Sequence, residues 1–323
     1  MVPIGGPVMS TPGFRNTPSL RYLDQTPAFF FDKEGTPTGG FNRDGRAQTL
    51  AQQARRPFTA PHEMANAGAA DLAMRLRRAA YADEFRSVFG AQSLDDAEGA
   101  FTRAVAAIAQ YEREDVEFHS YSSRYDAFLA GAPTLNAQEL RGLKLFNDPN
   151  KGNCAACHPS ARAADGAPPL FTDFSYDNLG VPRNPDIPAN ADASYFDLGL
   201  CGPDRVDLAD RKDLCGAFKV PTLRNIAVTA PYFHNGKFAT LNQVVAFYVR
   251  RDTRPEEWYP LNTDGVPEKF NDLPPAYRAN VNISEVPYNR KPGDAPALSE
   301  SEIDDVVAFL RTLTDADLVT PTP

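Results

Sequence analysis

Cys154-Ala155-Ala156-Cys157-His158 sets two thiols two residues apart with an imidazole directly after them. That spacing is the attachment pattern of a c-type haem. Each thiol can form a thioether with a vinyl group, and the histidine takes one axial position on the iron. Two other chemistries use a CxxC pair. A structural zinc site wants a second pair of ligands, and Cys201 and Cys215 are too widely spaced to make a second CxxC knuckle. A thioredoxin-like redox pair wants a βαβ setting, whereas proline and glycine surround this one. Covalent haem is the reading that the motif supports.

The opposite face of the iron separates electron transfer from catalysis, because methionine raises the potential and an open position admits peroxide. All four methionines, Met1, Met9, Met64 and Met74, precede the haem motif, and His234 is the one other histidine in the C-terminal half. The candidates are His234, a tyrosine, a methionine reaching across from the N-terminal half, or no ligand. Tyr248 falls in register with Leu241, Val244 and Val245 on a predicted helix, a spacing that by itself describes a core-facing stripe.

The elements that must position these residues are helical. Residues 1–61 are rich in Gly, Pro, Asn and Thr and read as ordered loop. From about His62 the pattern turns helical, with alanine-rich segments running to Phe89. Ser93-Leu94-Asp95-Asp96 resembles an N-terminal cap for a helix to about Glu114. Asn136, Thr240 and Ser299 cap three more helices, to Leu145 just ahead of the haem motif, to about Arg251, and from Ile303 to Leu313. Residues 159–218 and 252–298 read as long structured loops, and no convincing strand or internal repeat is visible. Gly131-Ala132-Pro133 marks a boundary between residues 1–131 and 132–323. The expected class is mostly α, with two cytochrome c-like helical domains and long irregular loops.

The 323 residues are 42% hydrophobic and contain 29 prolines, enough for a real core but against a strand-rich fold. The net charge of −9 argues against nucleic acid as a partner. Most of it falls after residue 131, where an acidic surface would suit a basic redox partner. No stretch is long and apolar enough to span a bilayer. Met1 to Gly13 has no charged or apolar region of a signal peptide. Haem c is attached outside the cytoplasm, so the chain is expected to be periplasmic and a mature or shortened form of a longer product. Export would let Cys201 and Cys215 pair, closing a loop of about 15 residues worth roughly 3 kcal/mol; two free buried thiols are the alternative.

A family resemblance runs through these residues. Arg15-Asn16-Thr17-Pro18-Ser19-Leu20, Asp44-Gly45-Arg46-Ala47, Gln53 and Glu63-Met64 resemble the N-terminal domain of bacterial dihaem cytochrome c peroxidases. Cys154 to His158, Leu223-Arg224-Asn225 and Thr229 through Lys237 resemble their C-terminal domain. The family includes the MauG type, which oxidises tryptophans of a partner protein. The resemblance implies His158 as proximal ligand and Tyr248 at the position where the peroxidases carry a methionine ligand, as in the MauG type. It implies Glu63 as a proton carrier and Gln53 as an orienting group in the peroxide pocket. Asn16 and the backbone oxygens of Thr229 and Pro231 match an interdomain calcium site. Arg224 and His234 would contact haem propionates, with a structural hydrogen bond as the alternative role.

Two departures qualify the match. The family has two CxxCH motifs and this chain has one, so a second haem is expected only in a full-length form. Arg43 stands where the family usually has a tryptophan between the haems. The single tryptophan, Trp258, reads as a packing residue. The implied activity is reduction of hydrogen peroxide with electrons passed through the C-terminal haem from a small redox protein such as a cytochrome c or cupredoxin. The alternatives are a MauG-type enzyme acting on a protein substrate and a non-enzymatic monohaem carrier.

Overall fold

The computed structural model describes residues 2–319. Eight α-helices run through these residues: α1 Leu50–Thr59, α2 Ala69–Arg78, α3 Ala82–Phe89, α4 Ala97–Glu114, α5 Arg124–Leu129, α6 Ala137–Asn147, α7 Leu241–Arg250 and α8 Glu300–Arg311. Loops and short 3-10 turns join them. The chain is mostly helical with long irregular connections, as expected.

Local chemistry sets the helix starts. Asp96 accepts the Gly99 N–H at the head of α4. Asn136, Thr240 and Ser299 each close a reciprocal capping box, with Glu139, Gln243 and Glu302 at the heads of α6, α7 and α8. Two helices fall where none was expected. α1 lies inside the stretch read as loop; Thr49 caps it, but Pro57 within it and a buried face of only Leu50, Gln53 and Ala54 hide its periodicity. α5 is six residues long, too short for a period, and is started by a Ser123–Asp126 capping box. The helical run expected from His62 begins only at Ala69, after a turn. Three antiparallel pairs of two-residue strands also appear, Ile4–Gly5 with Thr11–Pro12, Phe30–Phe31 with Pro37–Thr38, and Tyr176–Asp177 with Phe218–Lys219. They are too short to leave an alternating pattern.

Two main cores result. Leu72, Leu76, Phe85, Phe101 and Val105 join α2, α3 and α4, with Ala54 of α1 packed against them. The larger core joins α6, α7 and α8 through Phe146, Val245, Phe309 and Leu310. α5 precedes the boundary drawn after Gly131, yet its Tyr125 packs in this second core, edge-on to Phe309 at 5.2 Å. α6 and α8 touch backbone to side at Gly142, where any Cβ would collide with the Asp305 carbonyl oxygen.

The N-terminal loops are tied to the second half by ions and backbone. Arg15 donates to Asp44 at 2.6 Å and to both oxygens of Asp197 at 2.6 and 2.7 Å. The Tyr176 hydroxyl donates to the Gly39 carbonyl at 2.6 Å and crowds Gly45, whose φ of 66° also favours glycine. Cys201 and Cys215 form a disulfide, 14 residues apart in sequence. Trp258 packs edge-on against Phe238 and Phe247, as a packing residue should. Among the described residues no helix is long and apolar enough to cross a membrane.

Candidate haem site

The thiol pair sits just past α6. The chain leaves that helix through Gly152, whose N–H meets the Leu145 carbonyl at 3.2 Å, and turns at Asn153 in the left-handed region, φ 50°. The Asn153 amide donates to the Val286 carbonyl at 3.0 Å, pinning the turn to the loop opposite. A 3-10 turn, Cys154–Ala156, then presents both thiols, and the His158 N–H closes back on the Cys154 carbonyl at 2.9 Å. Burial pushes each thiol up to about 12, so both stay protonated and unreactive on their own.

Both thiols and His158 line one mainly apolar cavity that opens to solvent. His158 Nδ1 lies 2.6 Å from the Phe171 carbonyl oxygen. A carbonyl only accepts, so Nδ1 carries the proton and the Nε2 lone pair is left for a metal. Burial lowers the His158 pKa and keeps the ring neutral, the form that ligates. From α7, Leu241, Val244, Val245, Tyr248 and Val249 line the cavity, and α8 adds Val306 and Leu310. The stripe that looked like a core face therefore faces the cavity. Tyr248 lies beside Phe233 and Tyr288, with ring centroids 5.7 and 6.0 Å away. Burial raises its pKa well above the usual phenol range. Among the described residues no methionine lines the cavity. Two thiols, a neutral imidazole with its outer nitrogen free, and apolar walls are the donor set and surroundings that a covalent haem requires.

The other expected residues divide. His234 lines the cavity, stacked on Phe218 at 3.7 Å with Nε2 3.8 Å from Asp272. Arg224 is not among the residues that line it. Its guanidinium is spent on Asp126 at 3.0 and 2.9 Å and on the Pro169 carbonyl at 2.8 Å, and only 3% of the residue is exposed. Asn16 and Pro231 meet, amide nitrogen to carbonyl oxygen at 2.5 Å, and Thr229 lines the same wall. Turning the Asn16 amide over would offer oxygen instead, so amide and carbonyl groups there suit a hard cation. Gln53 and Glu63 lie apart from the His158 cavity. Gln53 is buried on α1 with its Oε1 unpartnered, and Glu63 follows the end of that helix with Oε1 3.6 Å from His62 Nε2. Sequence reasoning missed Tyr288 and Lys219, both in the cavity wall; Tyr288 sits in a loop and Lys219 in a two-residue strand, and neither carries a motif.

Residues 2–134 match the family described as di-haem cytochrome c peroxidase. The methylamine utilization protein MauG of Paracoccus denitrificans is 36% identical over 306 residues, covering 94% of this chain and 75% of that protein. The cytochrome c551 peroxidase of Nitrosomonas europaea is 35% identical over 204 residues, 62% of this chain and 52% of its own. Among solved structures, the diheme peroxidase BthA from Burkholderia thailandensis superposes with a TM-score of 0.90 at 41% identity, over 100% of this chain and 77% of its own. With the cavity, the thiol pair and the neutral histidine, these likenesses lead to one conclusion: the chain belongs to the di-haem cytochrome c peroxidase family and is an enzyme of the peroxidase type.

Proposed function

We propose that this chain carries one covalent haem c through Cys154 and Cys157, ligated by His158 and Tyr248, and serves hydrogen peroxide reduction by passing electrons through that haem. The observation that carries the reading is the His158–Phe171 hydrogen bond, which aims a neutral imidazole nitrogen into the cavity that both thiols line. When bound, the haem supplies one-electron chemistry. The chain's own groups do the holding. The thiols fix the ring edge, Phe171 orients His158, and the apolar faces of α7 and α8 exclude water. The family's peroxide-reacting haem is expected in a longer form of the chain, with Gln53 orienting peroxide and Glu63 moving protons. A calcium ion at Asn16, Thr229 and Pro231 would tie the two halves, 1–131 and 132–323. The Cys201–Cys215 bridge supports a periplasmic setting, where a small cytochrome c or cupredoxin would donate electrons.

A second reading, oxidation of side chains on a partner protein as in the MauG type, is favoured by Tyr248 in a cavity that no methionine lines among the described residues. Arg43, in place of the family's tryptophan, counts against its usual electron route. A haem assay in pyridine and alkali on protein matured in a host that attaches c-type haem should return one haem per chain; none, or two, refutes the assignment. Peroxide turnover by the longer form with a reduced small redox protein supports the peroxidase. Oxidation of a partner protein without such turnover supports the second reading. Activity in neither assay leaves a monohaem carrier.

A further inference from the structure

Two cations project into the wall of the haem cavity without a carboxylate to meet them. Lys219 Nζ donates to the Gly40 carbonyl at 2.5 Å and Arg43 Nε to the Asn16 carbonyl at 2.8 Å. Neither forms an ion pair within 4 Å among the described residues. The nearby acids are already taken. Asp197 receives Arg15 on both oxygens, and Asp44 receives Arg15 and Arg46. The pair is built rather than accidental, because the Lys219 N–H donates to the Arg43 carbonyl at 2.8 Å and fixes one residue beside the other. Both line the same cavity as His158.

Two like charges set together in a half-buried wall are costly unless an anion joins them. Burial first and then the charge of Arg43 draw Lys219 down to about 8. The cations come from wall segments other than the haem-motif turn, Lys219 from the short strand paired with Tyr176–Asp177 and Arg43 from the N-terminal loop. A haem fixed by its vinyl edge at Cys154 and Cys157 would carry its two propionates toward the far end of the cavity.

We propose that Arg43 and Lys219 form a paired clamp for the two haem propionates, the role that Arg224, locked to Asp126, cannot fill. Arg43 comes from the N-terminal half and Lys219 from the C-terminal half, so the cofactor's carboxylates would also hold the halves together. The inference rests on the covalent haem proposed above.

The test uses the matured holoprotein and the variants Arg43→Gln, Lys219→Gln and their double. Positive charge beside a haem favours the reduced iron, so each neutral variant should lower the midpoint potential and the double should lower it further. Arg43→Lys and Lys219→Arg should restore most of the shift, a rescue that mere packing would not give. Loss of covalent haem in Lys219→Gln with retention in Lys219→Arg supports the clamp equally. Equal loss in both overturns it. One haem per chain with wild-type potential in the double variant overturns the clamp and leaves the haem assignment standing. A wild-type chain without covalent haem overturns both.

Discussion

Arg224 meets Asp126 through two parallel hydrogen bonds, Nη1 to Oδ2 at 3.0 Å and Nη2 to Oδ1 at 2.9 Å, with both side chains buried. Asp126 also closes the capping box of α5 by accepting from Ser123. The guanidinium lies over the rings of Tyr22 and Tyr121, at 4.8 and 4.4 Å. One ion pair thus joins the start of α5, the loop after the haem motif and the N-terminal segment.

Asp126→Asn should be severely destabilising, because it leaves a buried guanidinium unpaired; breaking such a pair costs about 3–5 kcal/mol. Arg224→Met with Asp126→Asn should recover part of the loss. Burial pushes the Asp126 carboxyl up, but the hydrogen bonds and charge of Arg224 outweigh it and hold the pKa below its ordinary value. The pair's contribution is therefore complete above the unfolded carboxyl pKa, about 3.9, and is lost as pH falls through the lower folded value. Denaturant titrations of wild type and double variant should show the gap between them shrinking below about pH 4. A constant gap would mean that the pair does not titrate with folding.

Gly142 sets a contest between two effects. Alanine in place of glycine inside a helix should add about 1 kcal/mol through propensity. At this position the new Cβ meets the Asp305 carbonyl on α8, and overpacking costs roughly 1–3 kcal/mol. The contact is with backbone, which cannot swing aside, so the clash should win and Gly142→Ala should melt lower than wild type. Leu140→Ala, on the exposed side of the same helix, is the control and should change the melting temperature little.

Chelation tests the calcium site proposed at Asn16, Thr229 and Pro231. Exhaustive treatment with a calcium chelator should lower the melting temperature and alter the haem spectrum, and added calcium should reverse both. Asn16→Ala should make the protein insensitive to chelator. A wild type that ignores the chelator would leave the Asn16–Pro231 contact as a simple interdomain hydrogen bond.

The parts of this molecule that were legible in the sequence are those written locally. A capping residue three positions ahead of its partner announces α6, α7 and α8, and the five residues Cys154 to His158 announce the haem. What stayed hidden depends on distant contacts. Val244 and Tyr248 have the spacing of a core stripe, and only the packing of α7 beside the haem-motif loop turns that stripe toward a cavity. Arg224 looks like an anion ligand until Asp126, 98 residues earlier, is seen beside it. Lys219 ends a strand of two residues, too short to read, and its place beside Arg43 is something the intervening chain does not foreshadow.

Tyr248, the proposed second ligand, would decide what the haem can do. It stands on α7 in the cavity wall, and among the described residues no protein group hydrogen-bonds its hydroxyl. Burial holds the free phenol protonated, so a phenolate there would need the charge of ferric iron to offset its own. Such an anionic ligand would favour the oxidised iron and lower the potential, whereas methionine would raise it. Tyr248→Phe keeps the ring and most of the packing against Phe233 and Tyr288. It should change the ferric spectrum, open a coordination position to added cyanide or azide, and raise the midpoint potential. Tyr248→Met should move the potential up further and close the position again. The melting temperature of Tyr248→Phe separates ligation from packing: a change in spectrum and potential with little change in melting supports a ligand. A lower melting temperature with an unchanged spectrum and potential would make Tyr248 a wall residue. His234, already stacked on Phe218 in the same cavity, would then be the next histidine to replace.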